Sequence, residues 1–79
     1  MVWWLSVFFL IDGVWVPGSD VSPDGWSPRA YPTEQVCLAR QEFAEKQCRD
    51  FPLEYPAQWR CTAPDPLLEV PDDLRGVEC

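Results

Sequence analysis

The stretch Val2–Val16, VWWLSVFFLIDGVWV, decides how this chain folds. An apolar run rich in aromatic and β-branched residues reaches Ile11, meets Asp12-Gly13, resumes as Val14-Trp15-Val16 and ends at Pro17-Gly18. Asp-Gly between two such runs is the strongest short hairpin signal, because a type I′ turn needs positive φ at both central positions. The reading is a β-hairpin, residues 2–11 against 14–17. A membrane anchor or an uncleaved signal is the other reading, and two features weigh against it. No Lys or Arg precedes the run, so the positive region of a secretory signal is missing, and Val16-Pro17-Gly18 is a poor cleavage site. Asp12 ends the run at about half the length that spans a bilayer.

Residues 17–32, PGSDVSPDGWSPRAYP, hold four of the nine prolines and sustain neither a helix nor a central strand. They are expected to form a long ordered loop, anchored to the body by Trp26 and Tyr31. Thr33 is a good N-cap for a helix from Glu34 to about Asp50, stopped by Pro52. Val36, Cys37, Ala39, Phe43, Ala44 and Cys48 share one half of its wheel. Glu42–Lys46 and Glu45–Arg49 stand at i,i+4 on the other half, with Leu38 an apolar exception there. From Ala57 to Thr62 the residues alternate, Ala57, Trp59 and Cys61 facing one way. The expected fold is therefore α+β: a ββαβ domain over residues 1–63 with a small three-stranded antiparallel or mixed sheet and one helix on one face. Residues 64–79 form an acidic, Pro-rich tail.

Cys37, Cys48, Cys61 and Cys79 are many cysteines for 79 residues, a size at which a hydrophobic core alone supplies only a few kcal/mol. Disulfide staples are the expected answer. Four cysteines allow three connectivities. Cys37 and Cys48 lie three helical turns apart, about 16 Å, beyond disulfide reach. A last strand returning antiparallel to the helix brings Cys61 beside Cys37 and leaves Cys48 for Cys79. Free buried thiols, an intermolecular bond at Cys79 and a four-cysteine zinc site stay open as alternatives. The zinc reading lacks a C-x-x-C knuckle, its gaps being 10, 12 and 17 residues.

The hairpin, a helix with a Cys near its start (YPTEQVCLAR) and a strand ending W-x-C (QWRC) together resemble many small bacterial and phage-encoded proteins of unassigned function. The resemblance covers about residues 2–63. It implies the ββαβ fold and a Cys37–Cys61 pairing, and no activity.

Composition excludes several classes of chemistry. The chain contains no histidine, which removes the commonest general base and metal ligand. No G-x-S-x-G elbow or Gly-rich phosphate loop is present. Asp72-Asp73 binds a cation weakly at best, without an EF-hand pattern. No catalytic residue, cofactor or metal is therefore expected, and the chain reads as a non-enzyme. The net charge of −7, with Arg29, Arg40, Lys46, Arg49, Arg60 and Arg75 scattered, argues against nucleic acid.

What remains is apolar surface. In the first strand Trp3, Leu5, Val7, Phe9 and Ile11 point one way, and Trp4, Phe8 and Leu10 the other. One helix covers one face, so the second needs its own cover. Either the loop lays Trp26, or the tail lays Leu67, Leu68 and Val70, across it. Otherwise Trp4, Phe8, Leu10 and Trp15 form a partner-binding surface. The expected role is an accessory or decorating subunit of a larger assembly, a virion being the most specific version, in an oxidising environment. Its partners would be other protein subunits, with membrane contact not favoured. A secreted or periplasmic binding protein or inhibitor, or a subunit of a membrane complex, is the alternative.

Overall fold

Asp12 and Gly13 both adopt positive φ, 52° and 80°, which turns β1 (Trp3–Ile11) into β2 (Val14–Pro17). Phe9 faces Val16 and Ile11 faces Val14 across this hairpin. The computed structural model describes residues 1–21, 26–52, 54–72 and 74. Within them the fold is α+β, a small antiparallel sheet of four strands with one main helix packed against it.

β1 is the axis of the sheet. Along one edge it pairs with β4 (Ala57–Thr62), from Trp4↔Thr62 to Phe9↔Ala57. Along the other edge two short strands stand end to end: β2, and β3 (Arg29–Tyr31), which pairs Trp3↔Tyr31 to Leu5↔Arg29. This fourth strand corrects the three-stranded expectation. It lies in the Pro-rich segment, where three residues after Pro28 suffice to fill the free hydrogen-bonding edge of β1 beside β2. As an edge strand it tolerates the flanking prolines. Between the two, the helical turn α1 (Gly18–Val21) settles against β1 at Val7.

The main helix, α2, runs from Glu34 to Asp50. The Thr33 side chain accepts a hydrogen bond from the Val36 amide at 3.2 Å, and Phe51 closes the far end through its amide to the Gln47 carbonyl at 2.8 Å. Only a narrow stripe meets the sheet. Cys37 and Cys48 are buried and Gln41 and Ala44 half-buried, an i, i+4, i+7, i+11 spacing that keeps one line of contact. Val36, Ala39 and Phe43, expected on the packed half, are exposed. The core joins Val7, Phe9, Cys48, Ala57 and Trp59, with Leu5, Ile11, Val16, Trp26, Ala44 and Tyr55 packed around it.

Cys37 of α2 is bonded to Cys61 of β4, with Cα atoms 6.2 Å apart, as the antiparallel return of the strand predicts. Cys48 is also disulfide-bonded. Its expected partner, Cys79, lies outside the described residues. A disulfide is compatible with an oxidising, extracytoplasmic setting. Among the described residues no helix is long and apolar enough to cross a membrane.

Candidate functional site

Register assigns the side chains to two faces. The odd-numbered positions of β1, with Arg29, Tyr31, Ala57, Trp59 and Cys61 opposite them, look toward α2. The even-numbered positions look the other way, Phe8 beside Gln58 and Pro17, Leu10 beside Trp15, Trp4 beside Ala30 and Thr62.

The even face holds the residues expected to bind a partner. Phe8 is 0 % exposed, so no partner reaches it in this conformation. Trp4, Leu10 and Trp15 are half-buried. Neither α2 nor Trp26 lies here, since Trp26 stacks edge-on against Phe9 of the odd face with ring centroids 5.0 Å apart. The segment after β4 meets this face at Trp4. The Trp4 indole Nε1 donates to the Pro64 carbonyl at 3.0 Å, the Thr62 hydroxyl donates to the Asp65 carbonyl at 2.9 Å, and Leu74 is buried. Leu67 and Val70 are half-buried, whereas Leu68, offered with them as cover, is 63 % exposed. The chain itself thus encloses Phe8, while Trp4, Leu10 and Trp15 keep part of their surface in solvent.

The odd face is where the surface stays open. Its floor is Leu5, Val7 and Trp59, one wall is the flank of α2 carrying Arg40, Phe43, Ala44 and Gln47, and the other is Trp26 and Ser27. Two adjoining depressions of about 360 and 330 Å³ share Trp26, Phe43, Ala44 and Trp59, and so form one groove along the helix. The narrow contact stripe of α2 explains it. The next line of side chains, at 40, 43, 47 and 51, stands beside the sheet rather than on it. Phe43 is 54 % exposed and Phe51 73 %, which is costly surface for a protein that leaves it in water.

The two ends of the groove differ. Arg29, Tyr31 and Arg40 line one end, and Cys48 and Phe51 the other. The Arg40 guanidinium lies 5.6 Å from the centroid of the Phe43 ring, a cation–π contact that holds the cation at the rim without neutralising it. The sequence shows these cations as scattered. Arg29 reaches the groove only because β3 exists, and Phe43 reads as core because a wheel shows which half is apolar and not how wide the contact is.

Gln41 spans from α2 to donate to the Trp59 carbonyl at 3.2 Å, on the outer side of β4. That carbonyl also accepts from the Arg60 guanidinium at 3.0 Å, whose second nitrogen donates to the Gln58 side-chain oxygen at 3.1 Å. The open edge of β4 is thus partly blocked. Among the described residues no group of three His, Cys, Asp or Glu is placed to hold a metal. Comparison with protein-family models, curated proteins and solved structures finds no match for this chain.

Proposed function

We propose that this chain is a non-enzymatic interaction module of an oxidising compartment, which docks on a partner protein through the groove between α2 and Trp26. The observation that carries it is the exposure of Phe43 and Phe51 beside Trp26 and Trp59, on a molecule that encloses Phe8 on its opposite face. Burying such aromatic groups against a partner gives the largest gain per residue at an interface. A rigid, stapled body supports the role of an accessory or stabilising subunit in a larger assembly, and a virion surface is its most specific form. The secreted or periplasmic binding protein uses the same groove, and differs only in meeting a soluble target.

Native mass spectrometry of the protein from the particles or cells that make it tests this reading. A complex of fixed stoichiometry that Phe43→Ser with Phe51→Ser dissociates, while the Cys37–Cys61 bond is kept, is the expected result. A monomer in both forms overturns it.

A further inference from the structure

The groove is chemically polarised along its length. The protein carries 13 acidic residues against 6 basic ones, yet among the described residues the lining of the larger depression includes two arginines and no carboxylate. Among the described residues, the lining of the adjoining depression, which Phe51 borders, holds no charged side chain. Arg29 and Tyr31 are brought there by the pairing of β3 with Leu5 and Trp3, and Arg40 is steadied by the Phe43 ring.

Resting on the reading of this groove as a partner surface, we propose that its occupant is an extended peptide segment of a partner protein, acidic at one end and bulky and apolar at the other. The carboxylates sit at Arg29 and Arg40, and the apolar side chains lie over Trp59 between Trp26 and Phe43, toward Phe51. From Arg40 to Phe51 the helix rises about 16 Å, the length of about five residues of extended chain. The planar guanidinium of Arg40, 5.6 Å from the centroid of the Phe43 ring, carries a fork of donors suited to a carboxylate. The net charge of −7 disfavours an acidic segment over most of the remaining surface, which favours its placement at the two arginines.

The test uses the whole oxidised protein, labelled with nitrogen-15, and follows the tryptophan indole signals on titration with synthetic peptides. The acidic probes are acetyl-Glu-Glu-Leu-Phe-Leu-amide and its reversed order, and their matched controls carry Gln or Lys in place of Glu. The expected result is that the better acidic probe moves the Trp26 and Trp59 signals. The Gln probe should bind about tenfold more weakly, the loss expected for charge-assisted hydrogen bonds. Arg29→Glu with Arg40→Glu should remove that preference and favour the Lys probe. Equal binding of Glu, Gln and Lys probes overturns the charge assignment and leaves the groove reading standing. No shift of either signal with any probe at millimolar concentration overturns the groove reading itself.

Discussion

At the scale of single residues, two positions in the sheet show what the packing tolerates. The Ser6 side chain is buried and its hydroxyl oxygen has no hydrogen-bond partner among the described residues. An orphaned hydroxyl in a closed site costs desolvation and returns nothing. Ser6→Ala should leave thermal stability unchanged or raise it by up to about 1 kcal/mol, and a clear loss in a melting experiment would refute the account. Gly18 is the opposite case. A Cβ there would stand 2.5 Å from Val7 Cγ1, 3.0 Å from the Val7 carbonyl oxygen and 3.1 Å from Trp26 Cβ. Val7 is β-branched and packed in β1, so it has little freedom to yield. Gly18→Ala should cost about 1–3 kcal/mol in chemical unfolding, and Gly13→Ala should instead be penalised by backbone strain in open space. Asp12-Gly13 is legible in the sequence because its reason is local. The need for Gly18 is not, since it comes from a strand eleven positions earlier.

At the scale of elements, β1, β2, α2 and β4 follow from signals that sit within them: alternation, the Asp-Gly turn, the Thr33 cap and the Pro52 stop. β3 carries no such signal. Its three residues become a strand because β1 offers an unfilled edge, a property of the neighbour. The same limit hid the site. Arg29 and Arg40 lie on different elements, and only β3 brings them to one groove. The Cys37–Cys61 bond was legible through geometry, since it needs only the direction of β4 relative to α2. It closes a loop with sequence separation 24, worth about 3 kcal/mol in the chain-entropy account. Cys61→Ser should lower the unfolding free energy by that amount in oxidising buffer, read from the shift of the denaturation midpoint. The gap between this variant and the unchanged protein should shrink under reductant, and an undiminished gap would place the effect in packing rather than in the staple.

At the scale of the whole molecule, the two faces of one small sheet are treated differently. On the even face Phe8 is sealed in by the chain itself, and the odd face is left partly open along α2. The seal is testable through Leu74, which is 8 % exposed. Leu74→Asp should release the segment after β4, increase the binding of a dye for apolar surface and lower stability by about 1–3 kcal/mol. A variant that binds no more dye than the unchanged protein would show that something other than this segment covers Phe8. The arrangement of strands has a consequence for how the molecule is made. β1 fills both of its edges with segments that follow it, and the longest of these pairings, with β4, waits for Ala57–Thr62. During synthesis the most apolar stretch of the chain is therefore without its main neighbour until β4 has left the ribosome. In that interval the chain is a ready client for a holdase that grips residues 3–11. Oxidation that outruns the arrival of β4 finds Cys37 without Cys61, so the timing of oxidation against translation governs the yield of correctly bonded protein.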